Sequence, residues 1–350
     1  MTSADVLIVG GGIAGVSLAA RLAGHARVLL LEREEHLAMH TTGRSAAMFI
    51  ESYGNDAVRG WTRESRPFFE RPPEGFTDRP LIVPRPSLTA AKPEERDALQ
   101  AAVAANPGIV HEIAAGEAFA RVGVLRREVF AHFAVEEGSQ DIDVHALFEG
   151  FRRMALHGGV EIATGQEVLG IARAGASWRV TAPGGVFEAP VLVNAAGAWA
   201  GRLGVMAGLG DQGLVPMRRT AVTIEPPSGV DVSNWLSVND LAETFYFKPD
   251  AGLILASPAD ETPSAPCDAQ PEEIDVATVA WRIEEATTLE VARIRRRWAG
   301  LRTFTPARTP IFEFDPYTEG FFWLAGQGGY GIQTAPAISA RAAALIRERL

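Results

Sequence analysis

The sequence predicts a mixed α/β protein with a second, sheet-rich α+β part, and three stretches carry that expectation. The first, Asp5 to Arg33, reads as an apolar strand (Val6 to Val9), a glycine turn (Gly10, Gly11, Gly12), an Ala/Leu-rich helix and a second apolar strand (Val28 to Leu31). The second, Val160 to Ala200, is a meander of three or four strand-like runs joined by small turns, ending in the fully apolar Val191 to Val193. The third begins at Phe321 and repeats the opening logic: apolar strand, glycine turn, helix.

In the first stretch every part suits a dinucleotide. Gly10 makes the tight turn off the strand, Gly12 lets backbone approach a pyrophosphate, and Gly15 lets the helix pack on the sheet. Glu32 stands at the end of the second strand, placed to accept hydrogen bonds from a ribose diol. The helix N-terminus, with its unpaired N–H groups and dipole, favours the phosphates. This Rossmann-like pattern does not choose between NAD and FAD.

Length and composition bound the rest. A chain of 350 residues holds a substantial core and more than one domain. Thirty-three basic residues against 43 acidic ones give a net charge of −10, which argues against a general nucleic-acid surface. The single cysteine, Cys267, excludes an internal disulfide and a thiolate metal cluster, so no metal site is expected. It sits in a polar, Pro-rich stretch and reads as a surface-loop thiol in a reducing compartment. No apolar run approaches the roughly eighteen residues of a membrane span. A strand starting by Val6 leaves no room for a signal peptide, so a cytoplasmic location is expected.

Along the chain, Thr41-Thr42-Gly43-Arg44-Ser45 is read as opening a helix through Ala46, Ala47 and Met48, either a ligand-facing N-terminus or an ordinary capped surface helix. A helix follows around Asp56 to Phe69. Prolines from Pro67 to Pro86 then mark short extended segments, with the chain crossing into a second domain. Pro93 to Ala105 reads as helix, Val124 to Glu137 as β-rich, and Asp141 to Gly159 as an amphipathic helix ended by glycines. The small-residue turn Asn194-Ala195-Ala196-Gly197-Ala198-Trp199 allows close backbone approach to a ligand. Further β-like runs lie between Pro216 and Leu255. A helix from Ile274 to Thr287 leads into a basic run, Arg293 to Arg297, which alone reads as a solvated face.

With these residues in view, the chain resembles the glycine/D-amino-acid oxidase-type FAD-dependent oxidoreductases, and within them the bacterial D-arginine dehydrogenases. The matching pieces are VGGGIAG with Glu32-Arg33, HTTGRSAA, Tyr53, Arg85 between prolines, VLVNAAGAW, PMRRTA, FYFKPDAG, EEATTL, WAGLR and GFFWLAGQGGYGIQT, in the family's order. The resemblance implies non-covalent FAD. It implies a chain that weaves twice between an FAD-binding domain (residues 1–82, 142–215 and 300–350) and a smaller antiparallel-sheet substrate domain (83–141 and 216–299). By position, Gly10, Gly12, Ile13, Ala14, Gly15, Glu32, Arg33, His40, Thr41, Thr42, Gly43, Arg44, Ser45, Ala46, Ala47, Val168, Ala196, Gly197 and Trp199 would bind FAD. Gly328, Gly329, Tyr330, Gly331 and Ile332 would complete that set, placing a helix N-terminus at the pyrimidine end of the flavin, where the reduced ring carries negative charge.

The family grips the substrate carboxylate with arginines and tyrosines, which implies that role for Arg219, Arg302, Tyr53 and Tyr246, with Gly329 beside them. Arg219 stands beside Arg218, and either tyrosine alone would pass for core. Two departures bear on the substrate. Ser87 stands where D-arginine dehydrogenases have a glutamate pairing with the substrate guanidinium, and Met48 where they have a histidine. Without that carboxylate a cationic side chain is left unpaired, which costs several kcal/mol. The expected reaction is therefore hydride removal from Cα of a D-amino acid with a neutral or apolar side chain, giving an imino acid and then a 2-oxo acid. The flavin is reoxidised by oxygen or a quinone-type acceptor. Oxidation of a secondary amine or a 2-hydroxy acid, or a non-catalytic binding or assembly role, are the alternatives.

Overall fold

The computed structural model describes residues 2–350. Its centre is a six-stranded sheet in the order Glu161–Ala163, Val28–Leu31, Val6–Val9, Val191–Asn194, Phe321–Ala325, Ile311–Phe314. The first five run parallel, and Ile311–Phe314 is antiparallel at the edge. Four of these strands are buried at every position, and three of them are wholly apolar, because both faces of the sheet are covered. Val6, Ile8, Leu30, Val193 and Phe322 pack on the helices Ile13–Leu22, Val144–His157 and Gly331–Arg347. The alternate residues Leu7, Leu29, Leu192 and Trp323 pack on a four-stranded sheet through Trp178, Val180 and Phe187.

A nine-stranded sheet forms the second body. Its path is Thr262–Pro263, Val215–Ile224, Leu253–Ser257, Tyr246–Asp250, Ser237–Asp240, Ser87–Ala91, His132–Glu136, His111–Ile113, and the long strand Ile294–Phe304 also pairs with Val215–Ile224. One face buries Leu88, Val135, Val222, Val238, Phe247 and Ile254 beneath the helix Glu273–Ala286. The opposite face carries Arg219, Tyr246 and Arg302 by strand alternation. A small sheet of Met48–Phe49, Gln140–Ile142 and Ile82–Pro84 joins the two bodies.

Three local expectations need correction. Residues Thr41 to Arg44 form turns and Ser45 to Ala47 irregular chain rather than a helix, and from there Met48 pairs with Asp141. That pairing outweighs the helical preference of Ala46, Ala47 and Met48. Of the Val124–Glu137 stretch only His132–Glu136 is strand, since Val122 to Phe130 form turns. The Val160–Ala200 meander holds five strands, the fifth being the central Val191–Asn194. Cys267 is exposed on its loop, and among the described residues no helix is long and apolar enough to cross a membrane.

Candidate active site

Two abutting cavities of ≈ 920 Å³ and ≈ 910 Å³ run as one cleft along the C-terminal ends of the parallel strands, the usual place for a ligand in such a sheet. They share Gly12, Thr41, Thr42, Ala195 and Gly197.

The first half is built by the opening unit. Gly10 has φ +118°, and a Cβ there would strike the Ala195 carbonyl, so this turn requires glycine. Glu32 is buried, and its Oε2 accepts from Gly11 N at 2.7 Å while Oε1 accepts from Glu34 N at 2.9 Å. These bonds hold the carboxylate in the cleft wall, each oxygen keeping a further lone pair. The Arg33 guanidinium lies 4.7 Å over the Trp199 ring, and the His40 ring is also 4.7 Å from Trp199. Val168 and Ala196 complete this wall.

Midway, the helix Ile13–Leu22 opens on Gly12, which has no side chain to cap it. Thr42 Oγ1 accepts from Ile13 N at 3.0 Å, and the other first-turn N–H groups have no intrahelical acceptor. Ala14, Ser45, Ala46 and Arg44 line the cleft beside it. The Arg44 guanidinium is occupied, donating to the carbonyls of Ala299 at 2.9 Å and Ala269 at 2.8 Å and pairing with Asp268. At the far end a second helix, Gly331–Arg347, presents its N-terminus, again without a side-chain cap, beside Gly328, Gly329 and Ile332.

The residues therefore fit FAD. Two helix N-termini face one cleft, at separated points where anionic groups are favoured. A Cβ on Gly12 would meet only Thr42 Oγ1, at 3.3 Å, and one on Gly197 nothing within 4 Å, so both glycines open onto cleft space. His40 Nδ1 and Gln327 Nε2 are buried polar atoms without a partner among the described residues, and both side chains line the cleft. Such atoms fit the polar edges of a cofactor. Among the described residues no three His, Cys, Asp or Glu are placed to hold a metal.

Beyond that end lie four of the expected substrate residues. Met217 sits directly opposite Arg302 across the strands, which makes Arg219 its diagonal neighbour on the same face, about 7–8 Å between Cα atoms. Arg219, Tyr246 and Arg302 line one wall. Tyr53 reaches in from the other side. A Cβ on Gly329 would lie 3.0 Å from both the Tyr53 hydroxyl and Arg302 Nη1, so glycine leaves room for that approach.

The two arginines differ. Arg219 Nε donates to the Asp260 carbonyl at 2.7 Å, and Nη2 to Glu261 Oε1 at 3.1 Å. Among the described residues nothing accepts a hydrogen bond from the Arg302 guanidinium. Burial, then the nearby Arg302 charge, hold Arg219 below its ordinary pKa. Burial opposes the charge on Arg302 too, but Tyr53, Tyr246 and Glu261 outweigh it and raise its pKa. Burial on its own raises the Tyr246 phenol, yet Arg302 and Arg219 together bring it below its usual value.

Some expected residues act from behind the lining. Gly15 packs against the Gly10 carbonyl, Gly43 N donates to the Ala38 carbonyl, and the Ala47 carbonyl accepts from Ile142 N at 3.2 Å. Tyr330 is buried with its ring 4.9 Å from that of Tyr53. Met48 and Ser87 also lie outside the lining. Ser87 is buried and its Oγ accepts from Asn239 Nδ2 at 2.9 Å. Gln327, Glu261 and Arg308 carry weight here that sequence reasoning missed. Gln327 lies inside the family-matching segment GFFWLAGQGGYGIQT, while the other two sit in loops without periodic signal.

Comparison with known proteins fits this geometry. The family profile described as "DAO: FAD dependent oxidoreductase" matches residues 5–345. Glycine oxidase of Geobacillus kaustophilus is 24% identical over 357 aligned residues, 99% of this chain and 93% of that protein. The crystal structure of glycine oxidase from that organism superposes with a TM-score of 0.87, at 23% identity, covering 100% of this chain and 95% of that one. The L-alpha-glycerophosphate oxidase of Mycoplasma pneumoniae with FAD bound also gives a TM-score of 0.87, at 20% identity over 99% and 95% of the two chains. Two other curated relatives are matched over only 36% and 45% of their own lengths. The second of these is the hydrogen cyanide synthase subunit HcnC of Pseudomonas aeruginosa, 28% identical over 54% of this chain.

Proposed function

The chain belongs to the DAO family of FAD dependent oxidoreductases, and from that premise we propose that it oxidises the Cα–N bond of a D-amino acid whose side chain is neutral or apolar. The observation that carries this reading is Arg302, a guanidinium facing the cleft with no protein acceptor. A buried cation of that kind is stabilised by an anion, and its planar fork suits a carboxylate bidentately.

FAD, when bound, would supply the acceptor for the hydride, a proton with two electrons, that leaves Cα. The chain's own residues do the rest. Arg302 holds the carboxylate, with the Tyr53 hydroxyl beside it, and thereby fixes where Cα lies; orientation of this sort lowers barriers by several kcal/mol. The amine must lose a proton before its lone pair can expel hydride. Tyr246 lines this wall beside Arg219 and Arg302, which together hold its phenol below its usual pKa, and its Oη is the group suited to take that proton. The imino acid then takes up water and releases ammonia and a 2-oxo acid.

The side-chain preference rests on the lining at this end of the cleft, which among the described residues holds no aspartate or glutamate, and on the buried position behind it where Ser87 stands. Ser87 is bonded to Asn239, and the Glu136 carboxylate on the adjoining strand is already taken by Glu51 N at 2.7 Å and by the Ser52 hydroxyl at 2.5 Å. That leaves no carboxylate there for an arginine or lysine substrate. The electron acceptor in this reading is oxygen or a quinone-type molecule, and the lone exposed thiol supports a cytoplasmic setting.

Purified protein is expected to be yellow, with a flavin spectrum. Under anaerobic conditions D-Met, D-Leu or D-Phe should bleach it faster than D-Arg. Fastest bleaching by D-Arg would overturn the side-chain assignment, and no bleaching by any amino acid would overturn the reaction.

A further inference from the structure

At the mouth of the same site, two guanidinium groups close on one internal carboxylate, with a third nearby. Glu261 Oε1 accepts from Arg219 Nη2 at 3.1 Å and from Arg308 Nη2 at 2.8 Å, and Oε2 accepts from Arg308 Nη1 at 3.0 Å. Arg308 thus grips the carboxylate with both prongs while Arg219 closes on it from within. The side chains grade outward: Arg219 is 11% exposed, Glu261 32% and Arg308 46%.

The backbone holds Glu261 in place. The adjoining Asp260 carboxylate accepts from Thr220 N at 2.7 Å and Thr220 Oγ1 at 3.1 Å, and Thr262–Pro263 pairs with Met217 and Arg218. Arg302, next to this group, is left over.

We propose that Glu261 is a specificity-determining residue: its carboxylate fills a second anion subsite, formed by Arg219 and Arg308, and so restricts the pocket to ligands with a single carboxylate. The inference rests on the assignment of Arg302 as the substrate anchor. Arg219 and Arg308 are answered by Glu261, and a monocarboxylate answers Arg302, the guanidinium that lacks a protein acceptor. A ligand with two carboxylates would bring its second group against Glu261, like charge to like charge. With Glu261 removed, that group would find the bidentate seat that Glu261 now fills.

The test uses the FAD-loaded protein and calorimetric titration with propionate, succinate and glutarate. The intact protein should bind propionate at least as tightly as either dicarboxylate. In Glu261→Ala the affinity for succinate or glutarate relative to propionate should rise by about tenfold or more, a shift expected from one charge-assisted pair. Glu261→Gln, which keeps the shape, should move the ratio the same way by less. Adding Arg308→Met to Glu261→Ala should cancel the gain. An unchanged ratio in both Glu261 variants would overturn the proposal. Arg302→Met separates the two claims: loss of propionate binding there with an unchanged Glu261 ratio sinks only the second subsite, whereas undiminished propionate binding sinks the anchor itself.

Discussion

Replacement of Arg302 by methionine is expected to lower kcat/KM for the best amino-acid substrate by about two to three orders of magnitude while the protein stays yellow. Truncating one partner of a buried charge pair costs about 2–5 kcal/mol, and each 1.4 kcal/mol is about tenfold. Arg219 cannot take over, because its Nε and Nη2 are already engaged by Asp260 and Glu261. A second readout avoids the chemistry. Arg302 is the stronger of the two charges that favour the Tyr246 phenolate, so its removal should move one phenol titration to higher pH in ultraviolet absorbance. Unaltered kinetics together with an unaltered titration would remove Arg302 from the site.

The second large effect is structural. A Cβ on Gly15 would overlap the carbonyl oxygen of Gly10 and come within 3.3 Å of Ile8 Cγ2. The obstacle is backbone in a turn with no freedom to yield, and the helix it would displace is packed between the sheet and the helices Val144–His157 and Gly331–Arg347. Gly15→Val is therefore expected to cost more than about 3 kcal/mol, read as a collapse of the denaturation midpoint or as insoluble, colourless protein. Gly60→Ala is the control. Gly60 lies inside the helix Asp56–Glu70, and its added methyl meets nothing within 4 Å, so this change should stabilise by about 0.5–1 kcal/mol. A Gly15→Val protein as stable as its parent would disprove the packing argument.

How far the sequence was readable depends on how local each feature is. The opening unit was legible because its parts are consecutive: strand, glycines, helix, strand and Glu32 fall within one short stretch. Strands buried on both faces announced themselves as unbroken apolar runs. Arg219 and Arg302 are different. Their meeting depends on the antiparallel register of Val215–Ile224 with Ile294–Phe304, and no periodicity reports that; only the family resemblance singled them out. The basic run before Arg302 is exposed, as its reading as a solvated face expects, but the strand runs on inward, where Trp298, Gly300 and Arg302 are the alternate residues that turn toward the cleft. The non-helical course of Thr41 to Ala47 was obscured by its own composition, because Ala46, Ala47 and Met48 favour helix until a distant partner such as Asp141 claims the backbone. The occupied state of Arg219 was not readable at all. It arises from Glu261, on a loop some forty residues further along the chain.

The order of strands in the central sheet bears on how the polypeptide can be made. Val191–Asn194 is flanked by Val6–Val9 on one side and by Phe321–Ala325 on the other, and the helix Gly331–Arg347 lies against the helix Ile13–Leu22, so the opening unit waits for segments far along the sequence. Until synthesis reaches that last helix, the nascent chain carries half a cleft and an unpaired sheet edge, the condition that invites chaperones and aggregation. Closure across so many intervening residues should accordingly be slow.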